Sequence, residues 1–485
     1  MRRKFASNLL FLLFANLIIK PFWIWGVDLM VQRDKVGTEM YGTYFAVFNY
    51  SFIFSILLDF GINNFNNRAI SRNQNRLNEY LLNLMMIKVV FSIIYMALTF
   101  ISAMATGYSE MQMKMLYILA INQVLLSVIL YLRSNLAALQ MFKTDSIISI
   151  TDRLLAIIFC LSLMFLPMFR DGFNIMWFIY AQTAALGITA LIAFVIIISR
   201  AKIVLKIWNA KYTRAILLKS APFALLALMM GIYYRIDAIM IERMLGPAGA
   251  MEAGIYAASY RQLDAINQFG YLFATLLLPL FAFMIRKNES VAQLVKFSSE
   301  LIFAVSLVLA VHCYFYRHDI MQLLFHKQDA YWADIFGWLM LSFIPISSVY
   351  VFGTLLTAKG NLKALNAIAL SGMVLNIAIN LVLIPKYKAF GATIATLITQ
   401  VFVAIAHVVV VGRVFSFKFE AGRLAMLAVY AAAVVAICII GPMLSLTWWV
   451  VFLASMAVCG LLGIVLKIFP LKELAAIYQN RNTGV

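Results

Sequence analysis

Residues 181–219 read AQTAALGITALIAFVIIISRAKIVLKIWNAKYTRAILLK. The first half, up to Ser199, carries no charge, and a helix needs about 20 such residues to cross the hydrocarbon of a bilayer. The second half holds Arg200, Lys202, Lys206, Lys211, Arg214 and Lys219 with no acidic residue. A basic link directly after an apolar span marks the cytoplasmic side of a membrane. The same alternation runs the length of the chain. Apolar stretches centre roughly on residues 16, 51, 93, 125, 157, 186, 228, 268, 305, 344, 374, 401, 431 and 457, fourteen in all. Spans eleven and twelve are divided only by the Lys386–Lys388 turn, so thirteen or fifteen remain open. Alternating ten-residue barrel strands are absent.

Composition agrees. Of the 485 residues 64% are hydrophobic and 12% charged, against about 45–50% and about 25% in soluble domains. That excess has to face lipid. The net charge of +19 would suggest nucleic acid in a soluble protein; here it sits in the connections and sets orientation, and no nucleic-acid partner is expected. With the N-terminus inside, 24 of the 39 Lys and Arg fall in cytoplasmic segments, 9 in external ones and 6 within helices. Both termini are therefore expected in the cytosol. Met1-Arg2-Arg3-Lys4 resembles the start of a signal peptide, but Lys20-Pro21 interrupt the apolar run and no cleavage site follows, so an uncleaved first helix is expected. Cys160, Cys313, Cys438 and Cys459 lie in or beside apolar runs and read as free buried thiols.

A weak repeat crosses the basic link. Gly42-x-Tyr44-x-Ala46 opens the second span and Gly254-x-Tyr256-x-Ala258 the eighth; Leu136-x-Ala138 with Lys143 matches Leu356-x-Ala358 with Lys363. This predicts a duplication into two parallel six-helix bundles, residues 1–213 and 214–415, with residues 416–485 as a two-helix appendix. Parallel repeats place a substrate path between them.

Enzyme signatures are missing: there is no phosphate loop, no His-Glu-x-x-His and no Cys-x-x-Cys. No metal or cofactor is expected. His312, His318 and His326 fall at or near one external connection, where a surface role is expected, and His407 stands apart. Asn288-Glu289-Ser290 fits a glycosylation pattern but falls on the cytosolic side.

Intramembrane charges remain, and each is a functional candidate by default. Lys20, Asp28 and Asp59 stand near helix ends; Lys88, Arg133 and Arg153 lie within snorkelling reach of the cytoplasmic surface. Lys20 stands past mid-bilayer, Arg235 deep in the seventh span and Arg261 in the eighth. The repeat offset brings Lys20 within a turn of Arg235. Lys20, Arg235 and Arg261 are thus candidates to line a central cavity that suits an anionic headgroup such as a phosphate or diphosphate. Asp59, Asp152, Arg153, Asp237 and Asp264 are candidates for ion coupling or ion pairing. Arg261 and Asp264 can pair along one helix face, whereas Arg235 and Asp237, two residues apart, each need a partner elsewhere. Pro21, Pro222, Pro279 and Pro345 are hinge candidates. The Asn63–Arg68 stretch reads as an interfacial cytoplasmic segment.

Residues 375–396, LNIAINLVLIPKYKAFGATIAT, resemble the eleventh-to-twelfth-helix signature of bacterial polysaccharide transporters, through Asn376, Asn380, Leu383-Ile384-Pro385, Gly391-Ala392, Ala395 and Thr396. Leu58-Asp59-Phe60-Gly61 with Asn63-Asn64 resembles that family's second-helix ending, and Tyr41-Gly42 its beginning. Lys388 stands where the family usually has glycine. The resemblance is to the multidrug/oligosaccharidyl-lipid/polysaccharide superfamily. It implies V-shaped lobes that alternate access, and a flippase for undecaprenyl-diphosphate-linked oligosaccharide in O-antigen, capsule or exopolysaccharide assembly in the bacterial inner membrane. The expected partners are that lipid carrier, membrane lipids and a polysaccharide polymerase machinery. The two extra helices fit a polyprenyl tail. A cation-coupled multidrug antiporter of the same superfamily is the alternative; a membrane glycosyltransferase would need a larger external loop than the one around Arg317–Asp334.

Overall fold

A computed structural model describes residues 18–468, apart from 20, 75, 202–209, 327–328 and 418–419. Among the described residues there is no strand. In lipid every backbone N–H and C=O has to be satisfied within its own segment, and the helix does this. Helix α1 is described from residue 18 to 35 (residue 20 aside) and is π-helical over Trp23–Asp28 and Val31–Lys35. Then follow α2 (Thr38–Ile53, prolonged by a 3₁₀ turn to Leu58), α3 (Ile62–Arg72), α4 (Arg76–Ala105), α5 (Glu110–Ala138), α6 (Phe142–Phe165) and α7 (Ile175–Ile198). After the basic link come α8 (Ala210–Met244), α9 (Gly249–Arg286), α10 (Ala292–Phe315), α11 (Arg317–Phe325), α12 (Ala330–Leu341) and α13 (Phe343–Lys359). The last are α14 (Leu362–Phe415), α15 (Ala421–Ile440) and α16 (Trp448–Val465).

Twelve stretches among the described residues are long and apolar enough to cross a membrane. One of them, α14, has 54 residues, about 81 Å of helix against about 30 Å of hydrocarbon, so it crosses twice. Its break is at Lys388, with φ 53° and ψ −133°. That accounts for thirteen of the fourteen expected spans; the first, centred near residue 16, lies largely outside the described residues. Pro385 precedes the break, and Gly391 follows where a methyl group would collide with the Leu383 carbonyl. Lys388 thus adopts a backbone conformation that belongs to glycine.

The chain divides into two compact units, Met1–Ala258 and Ser259–Val485, with the boundary inside α9. In the first, α5 packs against α7, α6 against α7, and α2 against both α5 and α8. Rings fill the space between α1, α2 and α7: Trp23 stacks on Phe178 at 5.7 Å and Tyr44 meets Phe178 edge-on at 5.4 Å. Lipid is as apolar as this core, so burial alone gives little; shape and the aromatic geometry, about 0.5–1.5 kcal/mol per pair, hold the rings.

In the second unit α10 is central and touches α12, α13, α15 and α16. Near one end Arg423 on α15 donates through Nε to Glu300 on α10 at 2.7 Å and through Nη2 to the Lys467 carbonyl at 3.0 Å. Near the other, His312 Nε2 meets Ser455 Oγ on α16 at 3.0 Å while Nδ1 meets the Val308 carbonyl at 2.7 Å. His312 is fully buried, which corrects the surface role expected for it. Its position one turn before the helix end turns the ring onto α16, where Phe452 covers it edge-on at 5.6 Å. The four cysteines are free and buried.

Candidate functional site

Arg235 lies on the face of α8 that meets α2. Its Nη1 is 3.4 Å from Asn49 Oδ1, and its guanidinium lies 5.2 Å from the Phe52 ring centre. Asn49 Nδ2 donates to the Phe45 carbonyl at 2.8 Å, which turns the amide oxygen toward the arginine. The side chain is half-buried. Asp237, two residues on, is buried and accepts from the Tyr256 hydroxyl at 2.8 Å. The two charges therefore answer to different helices, as their spacing requires. Arg235, fixed by an amide and an aromatic face, keeps its planar fork oriented; such a fork suits the oxygens of a phosphate.

Lys20 lies outside the described residues. Arg261 and Asp264 are half-buried on α9 within the second unit.

Asp59 and Lys88 pair with each other, with Nζ 3.4 Å from Asp59 Oδ1. Lys88 also donates to the Leu58 carbonyl at 2.9 Å and to Ser127 Oγ at 2.8 Å. The ammonium thus closes the carbonyl end of α2, while Asp59 accepts from Asn63 N at 3.2 Å at the start of α3. Between Asp59 and Ile62, Phe60 and Gly61 take positive φ, 42° and 80°. Snorkelling does not describe Lys88: its side chain is 3% exposed. It turns inward because the end of α2 offers it the Leu58 carbonyl and the Asp59 carboxylate, and α5 the Ser127 hydroxyl. The expected interfacial segment is α3, anchored by Asn66 Nδ2 on Asn135 Oδ1 at 2.9 Å. Arg153 sits 3.8 Å from Asp152 and over Trp23 at 5.5 Å. Arg133 pairs with Asp145 at 2.7 Å.

Asp28 was a candidate only as one of the intramembrane charges, with no specific role. It is 2% exposed on the π-helical part of α1, and π-helical turns gather at functional sites. A carboxylate inside the run Trp25–Val31 was the available signal. Asn376, Asn380 and Thr396, which carry part of the resemblance, are buried on α14, and so are Thr399 and Gln400, which the sequence did not single out. Among the described residues no group of three His, Cys, Asp or Glu can hold a metal.

The fold, an all-α bundle of many spans with charged side chains inside it, is shared by solved structures of membrane transporters. One is a lipid II flippase MurJ in an inward closed conformation: TM-score 0.64, 13% identity, 97% of this chain and 99% of that one covered. A multidrug resistance MATE family transporter in an outward-facing conformation gives TM-score 0.59 and 12% identity, covering 84% of this chain and 95% of that one. A mutant of the Vibrio cholerae MATE transporter VcmN gives 0.53 and 12%, covering 85% and 92%. The family model described as polysaccharide biosynthesis protein matches residues 6–285. The chain belongs to that family. No curated protein matches it.

Proposed function

We propose that the protein flips a polyprenyl-diphosphate-linked oligosaccharide from the cytosolic to the external leaflet of the bacterial inner membrane, for O-antigen, capsule or exopolysaccharide assembly. It acts as a transporter, not an enzyme. The observation that carries this reading is coverage: the lipid II flippase accounts for 97% of the chain, the MATE transporters for about 84%. Helices α15 and α16, beyond a twelve-helix exporter, suit a cargo with a hydrocarbon tail. The termini lie in the cytosol, so the 106–109 and 245–248 turns are external. Residues 1–213 and 214–415 form lobes that alternate access, and a polymerase machinery receives the product.

Lys20, Arg235 and Arg261 hold the diphosphate, with Arg235 supplying forked hydrogen bonds and Lys20 a point charge. Arg235→Ala abolishes complementation of a flippase-deficient strain at near-normal membrane abundance, and Arg235→Lys restores it in part. Normal complementation by Arg235→Ala, or its loss from the membrane, refutes this role. The second reading, a cation-coupled multidrug antiporter, is favoured by the fold shared with the MATE transporters; cationic drugs sit poorly beside Arg235 and Arg261.

A further inference from the structure

The duplicated motif meets itself. Within the first unit, α2 and the first turns of α9 cross so closely that a methyl group on Gly42 would collide with the carbonyl oxygen of Ala250, and one on Gly254 with that of Thr38. Thr38 precedes Gly42 by four residues, as Ala250 precedes Gly254. Each glycine therefore faces the carbonyl four residues before the other, and exchanging the two copies leaves the contact unchanged. Small residues four apart are what lets two membrane helices bring their backbones together. Gln32 Nε2, at the end of α1, donates to the Gly254 carbonyl at 2.8 Å and is buried with it.

A polar latch stands at the same end of the bundle. Gln112, locked by its capping box with Ser109, donates to Glu242 Oε1 at 2.7 Å and accepts from Arg243 Nη2 at 3.1 Å. Arg243 Nη1 reaches the Gly107 carbonyl at 3.3 Å, and the guanidinium carbon lies over the Tyr108 ring, 3.7 Å from its centre. Burial pushes the Tyr108 hydroxyl up, so it stays protonated beside Glu242. The turn between α4 and α5 belongs to the first sequence copy; the end of α8 belongs to the second.

We propose that this crossing is the external gate: a self-complementary glycine contact, held shut by the Gln112–Glu242–Arg243–Tyr108 latch, that parts once in every transport cycle. The proposal rests on the alternating-access reading and assigns its moving contact. Its chemistry explains why the contact can be both tight and brief. At the two glycines backbone meets backbone, and the latch consists of hydrogen bonds that water replaces on opening.

The test uses the full chain in cells, with the four buried cysteines replaced and Ala46→Cys as reporter. Ala46 is fully buried one turn beyond Gly42. A membrane-impermeant maleimide is added outside, and complementation is measured in parallel. Gly42→Ala and Gly254→Ala raise the labelling rate about tenfold, and Arg243→Ala does so to a similar extent, because each tenfold needs only about 1.4 kcal/mol and one hydrogen bond to a charged group is of that order. Gly231→Ala, where an added methyl group meets nothing within 4 Å, leaves the rate unchanged. Labelling as slow as the parent in properly inserted glycine variants overturns the gate; if those variants do not insert, Arg243→Ala decides alone. Labelling reads the gate whatever the cargo. A response in labelling without any transport of lipid-linked oligosaccharide, by the parent included, therefore removes the flippase reading and leaves the gate. Transport without a labelling response removes the gate only.

Discussion

Replacing either member of the Lys88–Asp59 pair should have unequal consequences, and the structure fixes the order. The Lys88 side chain is 3% exposed and that of Asp59 31%. In Lys88→Met the ammonium disappears together with its desolvation penalty, which is several kcal/mol for a buried ion. Its former partners are not stranded: the Leu58 carbonyl still accepts from Ser127 Oγ at 3.0 Å and Asp59 from Asn63 N at 3.2 Å. Hydrogen bonds to a charged group are worth about 1.5–3 kcal/mol each, so lost bonds and recovered solvation largely offset, leaving about 1–2 kcal/mol. In Asp59→Asn the lysine remains buried without its counter-charge, and breaking a buried pair in that way costs about 3–5 kcal/mol. The double variant should recover most of this loss. The assay is the apparent melting temperature of the detergent-solubilised protein, followed by the monodisperse fraction after heating. Wild type should melt highest, then Lys88→Met and the double variant, with Asp59→Asn lowest. Asp59→Asn melting at or above Lys88→Met would refute the reasoning.

Lys388→Gly should raise the same melting temperature, because residues held in such a backbone region cost about 1–3 kcal/mol and glycine's extra chain entropy returns only about 0.4–1 kcal/mol; an unchanged or lower value contradicts the strain assigned to Lys388. His312→Ala should free α16 from α10, seen as faster hydrogen exchange in residues 448–465 while exchange in the first unit stays as it was. Ser455→Ala should do the same more weakly, and equal protection in all three proteins would show that the His312–Ser455 contact holds nothing.

Much of the fold could be read from the sequence because a bilayer imposes a simple rule. Uncharged runs of about 20 residues are forced into helices, and basic links sort their ends. Even the short divider between spans eleven and twelve was visible in Lys386–Lys388, although a lysine stands there in a glycine conformation. The paired glycines Gly42 and Gly254 were visible as a repeat; that the two copies touch required coordinates, since repetition states equivalence and not proximity. Side-chain direction was the information missing elsewhere. Lys88, within reach of the surface by depth, points inward to a helix end. His312, one turn from a polar connection, points into the contact with α16. Depth along a helix follows from residue counting, whereas the facing of a helix follows from packing between segments far apart in the chain. The same limit applies to Arg235: its depth was legible, and its partners Asn49 and Phe52, 186 and 183 positions away in the chain, were not.

The central claim is that the cargo is a lipid carrying an oligosaccharide on a diphosphate. It is tested most directly with the purified protein in liposomes that contain a polyprenyl-diphosphate oligosaccharide with a fluorescent group on its sugar, quenched by an impermeant reductant added outside. Protein-free liposomes should keep the inner-leaflet half of the signal. Wild-type protein should bring the inner pool out and let nearly all of it be quenched, and Arg235→Ala should keep the protected half. Protection unchanged by the wild-type protein, in vesicles that do transport a cationic dye, would contradict the account and favour the multidrug antiporter.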